Sequence, residues 1–246
     1  MTLEEAYNKI KELGYEVDSL DVIREVDKYR QYWKPKKVNV ILLAESHLFT
    51  SDQDFDIKID YSGFEDKIPN YPNGYVRFVY CFGYAENSML KNIQNDKRFK
   101  VGTPHFWKIF SACVCENKDL ILKSTTDDKE RIENKIKLLN KLRNKGIWLV
   151  DASIVGLYRK GRVKPTSRMM KKIILISWEK YVRNLVKEAH PKAIIFIGKT
   201  IHDLLEDEVK KLNIPYYYIC QPNYHYFQEG ESHKALRDLC SKYCKT

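Results

Sequence analysis

The residues best suited to chemistry in this sequence stand where four apolar runs end. The first run, residues 38–44, stops abruptly at Glu45, Ser46 and His47. The residues that close the four runs are Glu45, Asp151, Gly198 and Gln221. Such runs are typical of strands buried on both faces, and ligands collect at the carboxyl ends of parallel strands. The pattern therefore predicts four parallel strands that deliver these residues to one rim.

Polar and aromatic residues alternate directly after the fourth run. Asn223 and His225 are types suited to reading a base edge or to acid–base work. The aromatic residues of the same segment are Tyr224, Tyr226 and Phe227. Aromatic side chains in a loop can stack on an unstacked nucleotide or enter a duplex as a wedge. The alternative is an aromatic loop that folds over its own helix.

A basic segment follows the strand predicted to end at Asp151. Residues 152–178 include no acidic residue. The positive side chains of this segment are Arg159, Lys160, Arg162, Lys164, Arg168, Lys171 and Lys172. The whole chain has 43 Lys and Arg against 33 Asp and Glu, a formal charge of +10, which favours a polyanionic partner. We expect the segment to hold nucleic-acid phosphates, while a solvated helix start has the same composition.

Helical periodicity separates the predicted strands. The predicted helices span residues 3–13, 19–33, 103–115, 127–145, 167–189 and 200–212, with a last helix ending near residue 244. Residues 55–61 alternate in polarity and residues 75–82 follow a turn-rich stretch, so a small antiparallel excursion is expected there. Its acidic side, within residues 51–66, is a poor surface for phosphates. The pattern predicts a three-layer α/β/α sandwich with a four-stranded, mainly parallel central sheet.

The chain reads as one domain of residues 1–246, because no linker or repeat divides it, and the helices of residues 1–35 should pack on that domain. No apolar run approaches the roughly 20 residues of a membrane span, and the first ten residues are charged and amphipathic. The six cysteines are scattered through apolar or helical patterns. We expect a monomer with no membrane contact in a reducing cytoplasm.

Two patterns that could indicate a cofactor are excluded. Residues 191–200 end in Gly-Lys-Thr, but the spaced upstream glycine of a phosphate-binding loop is absent. Cys240 and Cys244 could share a helix face, yet no second pair stands at metal-ligand spacing. We therefore expect neither a metal nor another cofactor.

The order of these motifs resembles the uracil-DNA glycosylase superfamily. The segments that carry the resemblance are AESH at residues 44–47, LVDAS at 149–153, PKAIIFIGK at 191–199 and QPN at 221–223. They correspond to the motif after the first core strand, the base-reading strand, a Pro-Lys-x-Ile-x-x-x-Gly-Lys segment, and the His-Pro-Ser motif before a loop that enters DNA. The order and spacing agree from about residue 38 to the C-terminus, and the third segment matches best.

The catalytic motifs depart from the family pattern. Ser46 stands where several branches carry the Asp or Asn that positions water, so Glu45 is the available carboxylate, as in the GEAPG branch. Gln221 replaces the histidine that stabilises the departing base, which leaves His225 or His47 as substitutes. Asp151 replaces the Asn of the uracil branch, and an ionised aspartate only accepts hydrogen bonds. An aspartate therefore suits an amino-bearing base edge or must stay protonated to mimic asparagine, so uracil is not the obvious substrate.

The resemblance implies a DNA glycosylase-like enzyme of base-excision repair. Its expected catalytic residues are Glu45, Gln221 and His225, and its substrate-binding residues are Ser46, His47, Asp151 and Asn223. Its expected DNA contacts are Arg159, Lys160, Arg162, Lys164, Tyr224, Tyr226 and Phe227. The four clustered cysteines of the iron–sulfur branch are absent. Two alternatives stay open: a nucleic-acid-binding module that has lost catalysis, and a hydrolase or transferase that acts on free nucleosides.

Overall fold

Parallel strands form the central layer of the molecule. The computed structural model describes residues 2–84, 86–91, 106–114, 127–159, 163–220 and 229–244. The strands of the described residues are Val40–Ala44 (β1), Ile147–Asp151 (β2), Ala193–Ile197 (β3) and Tyr216–Ile219 (β4). Their order across the sheet is β2-β1-β3-β4, and every neighbouring pair is parallel. The predicted four-stranded parallel sheet is confirmed.

Helices cover both faces of this sheet. In chain order the helices of the described residues are Leu3–Lys11 (α1), Leu20–Tyr32 (α2), Asp52–Phe55 (α3), Phe106–Val114 (α4), Asp128–Asn144 (α5), Ser167–Ser177 (α6), Arg183–Ala189 (α7), Lys199–Lys210 (α8) and Glu229–Tyr243 (α9). A π-helical turn, Trp178–Val182, joins α6 to α7, so the two form the single long helix that the sequence predicts.

Alternate side chains of each strand enter two separate cores, as the pleat requires. Ile41 and Leu43 of β1 pack with α1, α6, α7 and α8 on one face. Val40 and Leu42 pack with α4, α5 and α9 on the other face. Helix α2 contributes to both cores, since Val26 belongs to the second and Ile23 to the first. The chain is therefore a three-layer α/β/α sandwich.

The antiparallel excursion is smaller than the sequence predicts. It consists of two isolated antiparallel bridges, Lys58–Gly74 and Ile59–Leu90, rather than of paired strands. The start of the predicted strand at residues 55–61 is replaced by the short helix α3, whose first turn is capped by the Ser51 hydroxyl. Residues 75–82 form turns instead of a strand, and all of them except Arg77 are buried, so their side chains do not alternate between core and solvent.

Helix α5 is anchored to the core by a buried ion cluster. Glu86 accepts hydrogen bonds from Arg131 Nε, at 2.8 Å, and from Lys135 Nζ. All three side chains are nearly inaccessible to solvent. Burial lowers the pKa of Lys135 although Glu86 opposes that effect. Removal of Glu86 would leave the Lys135 ammonium buried without its carboxylate and Arg131 with Asp128 alone.

We expect Glu86→Gln to lower the free energy of unfolding by about 3–5 kcal/mol, the range for breaking a buried ion pair. The control is Glu133→Gln on α5, whose carboxylate pairs with Lys67 at the surface, at 2.6 Å. That change should cost less than about 1 kcal/mol. Chemical denaturation measures both values, and equal losses in the two variants would contradict a buried cluster.

Candidate active site

The segments that follow β1 and β2 stay paired beyond the ends of the strands. Ser153 N donates to Glu45 O at 3.0 Å, and Leu157 N donates to the Ser46 hydroxyl at 3.3 Å. Phe49 N then donates to Tyr158 O at 2.9 Å. The polar residues after β1 are therefore held in place by the segment after β2.

Gly156 allows this close approach. A Cβ atom at position 156 would lie 2.4 Å from Phe49 N and 2.7 Å from the Leu48 carbonyl carbon. A Cβ atom does not approach a backbone atom this closely. A glycine is therefore required where the two segments pass each other.

Glu45 follows the carboxyl end of β1 and lines a cavity of about 450 Å³. Its side chain is almost fully buried, and the Tyr158 hydroxyl donates to Glu45 Oε1 at 2.9 Å. The other residues around the cavity are Lys164, Ser167, Met170, Lys171, Thr200, Asp203 and Leu204. With Tyr158, the lining thus combines a buried carboxylate with two lysines, three hydroxyls and an aspartate.

The sheet topology explains why a cavity forms at this point. The chain leaves β1 toward β2 on one side, while β3 and β4 extend the sheet in the opposite direction. The cavity lies between the end of β1, which carries Glu45, and the first turn of α8, which carries Thr200. Crevices at such switch points are the usual ligand sites of open parallel sheets.

His47 lies in a separate buried cluster between two carboxylates. Its Nε2 atom is 3.5 Å from Asp18 Oδ2, and its Nδ1 atom is 3.7 Å from Asp151 Oδ2. None of the three side chains has appreciable contact with solvent. Burial lowers the pKa of His47, but the two carboxylates outweigh that effect and raise the pKa to about 9. The imidazole is therefore protonated at neutral pH.

Each carboxylate of this cluster has further partners. Asp18 accepts from Thr50 N at 2.7 Å and from Gly156 N at 2.6 Å. Asp151 lies 3.5 Å from the buried Arg30 guanidinium, which also donates to Asp27 at 2.7 Å. The cluster thus joins the loop before α2, helix α2 and the ends of β1 and β2.

The structure separates the predicted site residues into different environments. Glu45 and Lys164 line the cavity, whereas His47 and Asp151 belong to the buried cluster and do not line it. Ser46 bonds to the backbone of the segment after β2. Arg159 pairs with Glu16 at 2.5 Å and lies over the Phe49 ring. The predicted residues outside the described parts of the chain are Lys160, Arg162, Gln221, Asn223, Tyr224, His225, Tyr226 and Phe227.

Sequence reasoning missed Tyr158, Asp18 and Arg30 as partners of the predicted residues. Tyr158 had a signal, since it follows the β2 strand end and precedes the basic segment directly. Asp18 and Arg30 had none, because an aspartate before a helix and an arginine within one are ordinary at the level of sequence. Their importance comes from burial beside Asp151 and His47.

The described residues include neither a membrane-spanning helix nor a metal-binding cluster. Within the part of the chain that the structure describes, no helix has the length and apolar character needed to cross a membrane. The same residues contain no group of three or more His, Cys, Asp or Glu side chains arranged to hold a metal ion.

Comparisons with known proteins yield little. No family model matches the chain, and no curated protein matches it. Among solved structures, a candidate uracil DNA glycosylase from Methanosarcina acetivorans, determined by solution NMR, is 12% identical with a TM-score of 0.37. The alignment covers 84% of this chain and 94% of that one. This similarity is too weak to assign a fold, so the fold assignment rests on the sheet and helices described above.

The His47 ion pairs predict a stability that depends on pH. The pKa of His47 in the folded state, about 9, lies above the ordinary value of 6.5. The stabilisation is therefore complete below about pH 6.5 and is lost as the pH rises through about 9. We expect the difference in unfolding free energy between the native protein and His47→Gln to shrink by a few kcal/mol between about pH 6 and about pH 10.

An NMR titration of the His47 ring tests the cause directly. The titration midpoint should fall in Asp18→Asn, which removes one of the two carboxylates while Asp151 and Arg30 stay in place. A midpoint at or below the ordinary histidine value in the native protein would contradict the ion-pair account.

Proposed function

We propose that this chain is a DNA glycosylase-like hydrolase, which cleaves the N-glycosidic bond of a modified or deaminated base that has left the DNA stack. The observation that carries the proposal is Glu45, a buried carboxylate that lines a cavity at the switch point of the sheet. Lys164 and Lys171 at the same cavity supply positive charge for a polyanionic strand. The proposal includes a monomer in the cytoplasm as the working form.

Glu45 has the chemical character that this reaction needs. Departure of the base leaves positive charge on the sugar, and a carboxylate in a water-poor site stabilises that charge strongly. The same carboxylate can orient a water molecule and accept its proton as the water oxygen bonds to the anomeric carbon. The electron pair of the broken carbon–nitrogen bond stays with the base, and Gln221 or His225 is proposed to assist its departure.

Base recognition is assigned to Asp151, Asn223, Ser46 and His47. Asp151 already pairs with His47 and Arg30, so a base can be read by Asp151 only if it replaces one of these partners. A base edge rich in N–H donors does so better than the carbonyl edge of uracil, because an ionised aspartate only accepts hydrogen bonds. An amino-bearing or cationic base is therefore the favoured substrate.

The DNA contacts are assigned to the basic segment and to the aromatic residues that follow β4 in the sequence. In the basic segment, Lys164 lines the cavity, and Arg159 pairs with Glu16. Phosphates would be held by Arg159, Lys160, Arg162 and Lys164. Stacking on the displaced strand is assigned to Tyr224, Tyr226 and Phe227, because aromatic faces accept any base.

A second candidate function is a nucleic-acid-binding module without catalysis. The observation that favours it is the buried cluster, since Asp151 and His47 are held by charged partners instead of lining the cavity. Such a module would bind DNA through the basic segment and leave every base in place. The two candidates differ in whether Glu45 acts on the sugar.

Replacement of Glu45 by glutamine separates the two candidates. Oligonucleotides bearing uracil, hypoxanthine, xanthine or an alkylated base are incubated with protein, and abasic sites are then cleaved by alkali. We expect excision by the native protein and a loss of about 10²-fold or more in Glu45→Gln, because the carboxylate charge is gone.

The control is Asp207→Asn, which also replaces a carboxylate by an amide, at a highly exposed position on α8. This variant should keep the native rate. Full excision by Glu45→Gln would contradict the assignment of Glu45. No excision from any substrate by the native protein, with DNA binding intact, would favour the binding module.

Replacement of Lys164 by glutamine tests the DNA surface. We expect weaker binding of single- or double-stranded DNA and a salt dependence whose slope falls by about one, the effect of one lost phosphate contact. The control is Lys137→Gln on α5, which packs on the opposite face of the sheet. Fluorescence anisotropy over a range of salt concentrations measures both. Equal effects of the two variants would contradict a specific basic surface.

A further inference from the structure

Tyr158 is fixed in the structure by its backbone. It pairs with Leu48 in an isolated parallel bridge, and its carbonyl accepts from Phe49 N at 2.9 Å. Gly156, two residues earlier, passes so close to the backbone of Phe49 that no side chain fits there. The tyrosine ring therefore projects from a segment whose position is set by contacts with the end of β1.

The hydroxyl of this tyrosine points at the Glu45 carboxylate. It donates to Glu45 Oε1 at 2.9 Å, across 113 positions of sequence. Burial raises the pKa of Tyr158, and the neighbouring Glu45 carboxylate raises it further. The hydroxyl consequently keeps its proton over the whole neutral range. Since a phenol has one proton to donate, that proton is committed to the carboxylate.

We propose that Tyr158 is a positioning residue for Glu45, holding one carboxylate oxygen by its hydroxyl so that the carboxylate is ionised and oriented in the cavity. The catalytic consequence of this role rests on the proposed function, whereas the Tyr158–Glu45 hydrogen bond does not. Tyr158 lines the same cavity as Glu45 and makes no other side-chain hydrogen bond within the described residues.

The position of Tyr158 also connects the carboxylate to the basic segment. Arg159 follows directly and is held by Glu16 and the Phe49 ring, while Lys164 returns to the cavity wall. A hydrogen bond to the ionised form of a carboxyl group lowers its pKa, so loss of the phenol should make Glu45 easier to protonate.

The test removes the hydroxyl and keeps the ring, in Tyr158→Phe. The first readout needs no substrate: the carboxyl carbon of Glu45 is followed by NMR as the pH is lowered. We expect its titration midpoint to rise by about half a unit to one unit in the variant. The control is Tyr216→Phe, which removes a similar tyrosine–carboxylate hydrogen bond to Glu206, at 3.0 Å. It should leave the Glu45 midpoint unchanged.

The second readout is base excision. Tyr158→Phe should lower kcat about tenfold with KM little changed, and the acidic limb of the pH–rate profile should move upward with the Glu45 midpoint. A purely structural role would leave that limb in place.

The outcomes distinguish the inference from the proposed function. An unchanged Glu45 midpoint in Tyr158→Phe overturns the positioning role, whatever the excision rate. A shifted midpoint with an unaltered kcat and pH profile overturns it as well. A shifted midpoint in a protein that excises no base supports the positioning of Glu45 and overturns the glycosylase proposal.

Discussion

The carboxylate of Asp18 is the constraint on which the arrangement of the site depends. It comes from the loop between α1 and α2, yet it binds backbone amides of both segments that leave the sheet, at Thr50 and at Gly156. It also pairs with the protonated ring of His47. A buried charge with this many partners is costly to release, because each broken contact leaves a desolvated polar group. The ends of β1 and β2 are held together as one unit.

That unit places two carboxylates of the strand ends in unlike surroundings. Asp151 is enclosed by His47 and Arg30 and does not line the cavity, whereas Glu45 lines it and accepts a hydrogen bond from Tyr158. A carboxylate that borders a cavity can meet a substrate. This difference is why the functional proposal rests on Glu45, and why the role of Asp151 as a base reader demands an exchange of partners.

The fold could be predicted from the sequence because its strands are short apolar runs with polar ends. The helices were also predictable, since α2 and α5 carry clear periodic patterns. The antiparallel excursion was overestimated, because the alternation in residues 55–61 has the period of a strand but begins in a capped helix. Residues 75–82 are apolar at every position except Arg77 and fill the core from a series of turns. A strand with a two-residue period would bury only alternate side chains.

The candidate site was only partly predictable. Glu45 stands out because it follows a buried strand, so its place at the edge of the sheet was predictable. The partners of the site residues lie far away in sequence: Tyr158 is 113 positions from Glu45, and Arg30 is 121 positions from Asp151. Contacts of this kind depend on how the layers pack. Local pattern therefore indicated which residues end the strands, but not which of them face the cavity.

The most direct measurement is the structure of this protein bound to DNA that carries a modified base or an abasic site. The account predicts one nucleotide unstacked into the cavity, with its sugar within hydrogen-bond reach of the Glu45 carboxylate, about 3 Å, and phosphates against the basic segment. DNA bound along the basic segment with every base stacked, and the Glu45 cavity without a nucleotide, would contradict it.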